Sequence, residues 1–230
     1  MRYSVQRKEI EIDTNDLVFK PSRHGSTLSN FIKVNPNEKV LDIGTGTGFL
    51  AILAAKLGGK VFATDILPQA VELTQNNAQK NNVSVDVRLG DMFEPFAGEK
   101  FDVIIANVPQ EELSPKITKT LPKEVVVGMS GGKNGNELLL KVLNLAPKFM
   151  HKDSRLYVVA YSVSNYRESL KAILENYQAR LINFYTSPVK DFLYSDPEYY
   201  LDQSKEGTIL IYKKGSEYWA DLFVFELKLK

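Results

Sequence analysis

The most constraining feature of this chain is a junction. A short, mostly apolar run, Val40-Leu41-Asp42-Ile43, passes without a break into Gly44-Thr45-Gly46-Thr47-Gly48, and helix-spaced apolar residues follow from Phe49 to Leu57. A strand, a tight turn and a helix satisfy that pattern. Glycines at alternate positions let the turn take positive φ and remove the β-carbons that would block a molecule lying on the loop. The alternation then repeats. Val61 to Thr64 reads as a strand, Pro68 to Asn81 as a helix opened by proline in its first turn, and Val85 to Leu89 and Phe101 to Ala106 as further strands. Strands and helices in alternation at this spacing predict an α/β fold with a doubly wound, mostly parallel sheet and right-handed crossovers.

Farther along, Val125-Val126-Val127 reads as a short strand, Gly135 to Met150 as a helix, Leu156 to Tyr161 as a strand and Asn165 to Tyr177 as a helix. Three more strands are expected at Leu181–Tyr185, Thr208–Tyr212 and Leu222–Leu227. No helix is expected between the last two, so the C-terminus should add antiparallel strands. Residues 1–36 read as an N-terminal cap segment and residues 37–230 as one domain.

Composition removes several classes of chemistry. There is no cysteine, which excludes disulfides, thiolate metal sites and a thiol nucleophile. The two histidines, His24 and His151, are far apart and no His-Glu-x-x-His occurs, so no protein-built metal site is expected. A net charge of +1 provides no general field toward nucleic acid. No apolar run approaches the roughly 18 residues of a membrane span, so no membrane partner is expected and the cytoplasm is the expected location.

The glycine loop is G-x-G-x-G rather than the G-x-G-x-x-G of dinucleotide sites, and Asp42 stands two residues before Gly44. A carboxylate there repels phosphate and attracts an ammonium group. Asp65, at the end of the second strand, lies where a ribose-binding acid belongs in such a fold. Asp91, after the third strand, can accept from an exocyclic adenine amine. Together these residues describe a ligand with an adenosine, a free amino group and no phosphate.

This set resembles the class I S-adenosylmethionine-dependent methyltransferases over roughly residues 18–212. The resemblance implies a Rossmann-like sheet of seven strands and S-adenosyl-L-methionine as cofactor. It further implies that Gly44, Gly46 and Gly48 pack on the methionine moiety, that Asp42 lies near its amino group, that Asp65 holds the ribose and that Asp91 contacts the adenine. After the fourth strand comes Asn107-Val108-Pro109-Gln110, similar to the Asn-x-Pro-aromatic segment of amino methyltransferases. The Asn107 side-chain oxygen and the Val108 carbonyl can accept both hydrogens of a planar amine or amide, while Pro109 stiffens the loop. Gln110 replaces the aromatic; it can hydrogen-bond a target but stacks weakly.

Three further runs, Gly90 to Phe96, Gly98 to Ile105 and Gly131-Gly132-Lys133-Asn134-Gly135, look like those of the release-factor glutamine methyltransferases. In that group a threonine matching Thr27 helps close over the cofactor and also belongs to its site. The expected activity is N-methylation of a side-chain amide or amine on a protein. A nucleic-acid base amine or a small molecule remains an alternative acceptor, and a non-catalytic cofactor-binding module is an alternative of another class.

Competing signals are weaker. Gly128-Met129-Ser130-Gly131-Gly132 matches the serine-hydrolase elbow, but its histidine partner would be His151 at the far end of the following helix. Gly132-Lys133 lacks the spacing of a phosphate loop. His24 is read as a solvated loop residue, Glu111-Glu112 as a solvated face, and the aromatic stretch Phe184-Tyr185, Phe192, Tyr194 and Tyr199-Tyr200 as packing under a long connection.

Overall fold

The computed structural model describes residues 1–230, with the side chain of Phe192 excepted. Ten strands and eight α-helices follow in order: β1 (Arg2–Val5), β2 (Lys8–Glu11), α1 (Arg23–Ser29), β3 (Lys39–Ile43), α2 (Phe49–Lys56), β4 (Lys60–Asp65), α3 (Pro68–Lys80), β5 (Val85–Leu89), β6 (Phe101–Ala106), α4 (Pro115–Thr118), α5 (Lys123–Met129), α6 (Glu137–Leu145), β7 (Met150–Tyr161), α7 (Tyr166–Asn176), β8 (Tyr177–Pro188), α8 (Pro197–Glu206), β9 (Ile211–Lys214) and β10 (Glu217–Leu229).

Eight strands form the main sheet in the order β5-β4-β3-β6-β7-β10-β8, with β9 paired to β10. The first five run parallel, and β10 is antiparallel to all its neighbours. The sheet is therefore one strand larger than the expected seven. The extra strand, β9, extends a hairpin into β10 that turns at Gly215, where φ is +61°. Helices cover both faces over two apolar clusters, one built with α2 and the other with α6 and α7.

Strand order reverses between β3 and β6, which opens a crevice at their carboxyl ends. Register sets what meets there. Ile43 pairs with Ala106 and also with Thr64, so the chain leaves the sheet side by side at Gly44, Asn107 and Asp65. Asp65 in turn pairs with Leu89, placing Gly90 and Asp91 next along the rim.

Two expectations fail for identifiable reasons. Val125 to Val127 lie in α5 rather than in a strand. Because β6 pairs directly with β7, no ladder position is open to them, and helix formation satisfies their backbone instead. The helix expected from Gly135 to Met150 spans only Glu137–Leu145; Pro147 stops it in a 3₁₀ turn, and Met150 already begins β7. The first 36 residues contain a hairpin, β1–β2, whose Val5 and Ile10 join the α2-side cluster. Among the described residues no helix is long and apolar enough to cross a membrane, and no group of three or more acids and histidines is placed to hold a metal.

Candidate active site

A cleft of about 430 Å³ opens over the carboxyl ends of β3, β4 and β6, within the range of about 300–1,000 Å³ usual for small-molecule sites. Its floor is the glycine loop. Gly44, Gly46 and Gly48 all have positive φ, and Gly48 is also sterically required, since a β-carbon there would lie 2.8 Å from Thr74 Cγ2. The loop is tied down from below. The amides of Gly44 and Thr45 donate to Thr64 O at 2.9 and 3.0 Å, Thr74 Oγ1 donates to Gly46 O at 3.0 Å, and Asn77 Nδ2 donates to Thr47 O at 2.9 Å.

Asp65 ties the loop to its own turn, one oxygen to each. Oδ2 accepts from the Gly46 amide at 2.9 Å and Oδ1 from the Leu67 amide at 3.0 Å. Burial nonetheless raises its pKa above the usual carboxylate value, against the pull of those amides. Asp42 is only 1% exposed and lies beneath the loop. It accepts from Thr45 Oγ1 at 2.8 Å and faces the Ala51 amide in the first turn of α2, where the N-cap residue Gly48 offers no side chain. Burial dominates here as well and pushes its pKa up to about 7. Asp91 lies on the rim and forms an ion pair with Lys141 of α6, a partner that nothing in the sequence signals.

Across the cleft stands the segment after β6. Asn107 faces the cavity, and α1 packs against it so closely that a β-carbon on Gly25 would sit 3.0 Å from Asn107 Nδ2. Among the described residues no protein group hydrogen-bonds the Asn107 side chain. Val108 and Pro109 line the wall beside it. Gln110 behaves differently from the expectation of a target-facing amide. It is 4% exposed, its Nε2 donates to Val159 O at 2.7 Å and its Oε1 accepts from the Tyr161 amide at 3.0 Å, so its side chain is committed to β7.

Thr27 lies outside the residues lining the cleft and turns toward the Tyr185 hydroxyl instead. Four residues that line the cleft were not legible as site residues. His24 sits edge-on to Tyr161 with ring centres 4.5 Å apart, and burial, aided by the charges of Lys190 and Arg23, holds its pKa well below the ordinary histidine value. Phe19, Glu111 and Lys190 line the same cleft. Glu111 is a buried residue and not the solvated face its neighbourhood in sequence suggests. The aromatic stretch packs only in part: Tyr200 is buried and donates to Glu112 O at 3.1 Å, whereas Phe184 and Tyr194 are exposed; the Phe192 side chain lies outside the described residues. The hydrolase alternative fails on geometry. Ser130 follows a helix rather than a strand, and His151 pairs with Asp102 at 2.9 Å near the opposite ends of the strands.

The cleft suits S-adenosylmethionine on its own features. Bare glycine faces leave room over the loop, where a β-carbon at Gly46 would point toward Phe19 O at 3.7 Å, and the loop itself carries no cationic side chain for a phosphate. Asp65 would hold the ribose hydroxyls, and Asp91 would meet the adenine.

Comparison with known proteins agrees. Residues 26–134 match the family model described as ribosomal protein L11 methyltransferase (PrmA). The chain is 30% identical over 171 residues to the Methanocaldococcus jannaschii protein named "Putative protein N5-glutamine methyltransferase", covering 74% of this chain and 85% of that one. It is 34% identical over 154 residues to the ribosomal protein L11 methyltransferase of Thermosipho africanus and 30% over 127 residues to the release factor glutamine methyltransferase of Geobacter sulfurreducens. These matches cover 64% and 52% of this chain, and only 59% and 44% of the relatives' lengths. A methyltransferase from Pyrococcus furiosus shares the fold with a TM-score of 0.56 at 18% identity, over 94% of this chain and 88% of that one. The glycine loop, the strand-end acids, the strand order and the relatives agree: the chain is an enzyme of the class I S-adenosylmethionine-dependent methyltransferase family, similar to its release-factor glutamine group.

Proposed function

We propose that this enzyme methylates a nitrogen on a protein side chain, with residues 1–36 capping the cleft and residues 37–230 carrying the methyltransferase site. The observation that carries the reading is the contrast between two amides three residues apart. Gln110 spends its donor and its acceptor on β7, whereas Asn107, one strand-end away from Gly44, keeps its side chain free inside the cleft. The cofactor supplies a methyl group already activated on a sulfonium. What remains for the protein is placement, for which effective molarity is the main lever. Asn107 Oδ1 and the Val108 carbonyl accept the acceptor's two N–H hydrogens and aim the nitrogen's lone pair at the methyl. Gln110 and Pro109 keep that pair of acceptors from drifting. The Methanocaldococcus and Geobacter relatives bear names for protein glutamine chemistry, which supports a protein acceptor.

The test is transfer of a radiolabelled methyl group into an extract from cells lacking this gene, followed by fractionation and hydrolysis. Label in protein, on a side-chain nitrogen, supports the reading, with Asn107→Ala abolishing transfer but still binding cofactor. Label confined to RNA or to small molecules overturns it.

A further inference from the structure

The acceptor end of the cleft contains an ion pair whose two members are unequally placed. Glu111 follows the Asn107 segment and its side chain is 2% exposed, whereas Lys190, on the connection after β8, is 25% exposed. Glu111 is fixed in the wall by its backbone: its carbonyl accepts from the Gly131 amide at 2.8 Å, and the residue bridges to Ser130. Its buried Oε1 is paired with the Lys190 ammonium, and no hydrogen-bond donor satisfies that oxygen. Lys190 also places its ammonium 4.9 Å from the centre of the Phe19 ring. A carboxylate and an aromatic face around one point make a receptor for a cation. Glu111, Phe19 and Lys190 line the same cavity as Asn107.

The asymmetry identifies which partner is fixed. A buried carboxylate that lacks amide donors requires a cation beside it. The cation it has arrives on a flexible four-carbon stem from the more exposed side, so it can swing out without disturbing the sheet. We propose that Glu111 and Phe19 form a subsite for a cationic side chain of the acceptor, an ammonium or a guanidinium, and that Lys190 keeps this place until the acceptor enters. The proposal rests on the cleft being the acceptor site, and it adds the charge class that the acceptor must present there. Lys190 then acts as an intramolecular competitor, which raises the threshold for weakly held or uncharged side chains.

The test reads binding alone, with the whole chain and no cofactor. Butylammonium and propylguanidinium are titrated calorimetrically, with butanol as the uncharged control. Lys190→Met, which keeps the stem and removes the competitor, should bind one or both cations about twofold or more tightly than the wild type, since a tethered competitor at about millimolar effective concentration halves the apparent affinity of a similar cation whose Kd is about millimolar. Glu111→Gln/Lys190→Met should lose that gain, and butanol should bind none of the three proteins. Equal affinity in the wild type and Lys190→Met, or an undiminished gain in the double variant, overturns the proposal.

If Lys190→Met does not fold, the wild type still decides through carbon NMR of labelled lysine, with the Lys190 signal assigned by its loss in Lys190→Arg. That signal should move toward the free-lysine position as butylammonium is added, and a signal that stays in place overturns the proposal. Cation binding without methyl transfer to any protein would overturn the proposed function and leave this subsite intact. Transfer without cation binding would do the reverse.

Discussion

Asp42 offers the sharpest quantitative test, because its environment sets opposing influences against each other. Thr45 Oγ1 and the Ala51 amide favour its carboxylate, while complete burial and the neighbouring Asp65 disfavour it; burial dominates and the pKa rises from 3.8 to about 7. Because the folded value lies above the unfolded one, this group's contribution to stability is full below about pH 4 and is lost as the pH rises toward 7. At about 1.36 kcal/mol for each tenfold change in proton affinity, the loss amounts to about 4 kcal/mol. Asp42→Asn keeps the shape and an oxygen for the Thr45 hydroxyl but cannot ionise. Its stability relative to the wild type should therefore climb by up to about 4 kcal/mol between about pH 4 and pH 8, whatever its offset at the acid end. Urea denaturation of both proteins across that range measures the difference directly. Parallel stability profiles would refute the assignment, since they would mean that Asp42 ionises in the folded protein as readily as in the unfolded chain.

Other perturbations separate the roles of neighbouring residues. Asp65→Ala removes the acceptor for the Gly46 and Leu67 amides and should lower affinity for S-adenosylmethionine and S-adenosylhomocysteine about a hundredfold by isothermal titration, whereas a change under about threefold would remove Asp65 from the site. Gln110→Leu strands Val159 O and the Tyr161 amide inside the protein and should cost about 2–4 kcal/mol in urea unfolding, and a neutral result would show that β7 does not need the latch. Gly25→Ala sits in α1 with ordinary helical geometry, so stability should hold or improve by up to about 1 kcal/mol, while a β-carbon 3.0 Å from Asn107 Nδ2 pushes that amide aside and should lower kcat about tenfold. Unchanged kcat would argue against Asn107 as the positioning group.

The parts of the fold that were legible in the sequence are those whose signal is local. The strand Lys39–Ile43, its glycine loop and the acids at the ends of β4 and β5 are read from runs of a few residues, and parallel register then places them along one rim. The β1–β2 hairpin was hidden because its turn uses Gln6 and Arg7, both at positive φ, where the usual hairpin signal is asparagine or glycine. Val125 to Val127 misled because β-branched residues favour strands only where a neighbouring strand is available. Glu111 and Lys190 are 79 positions apart, and neither carries a pattern that announces a partner. Pairings of that kind become visible only when three connections converge on one cavity.

That convergence also changes the meaning of Gln110. In the sequence it reads as a missing aromatic, and thus as a weakness in the acceptor site. In the fold its amide fastens the Asn107 segment to β7, a task an aromatic side chain could not perform with two hydrogen bonds. Aromatic surface in the cleft comes instead from Phe19 and His24 of the N-terminal segment, together with Phe49 at the start of α2. Anchoring and stacking are thus assigned to different segments, one fixed to the sheet and one laid over it. The Asn107 segment stays in register with Gly44 through β3 and β6, whereas residues 18–24 lie outside the main sheet. Under the proposed function, substitutions in residues 18–24 or at Lys190 should therefore alter acceptor selectivity and leave the register of Asn107 with Gly44 in place.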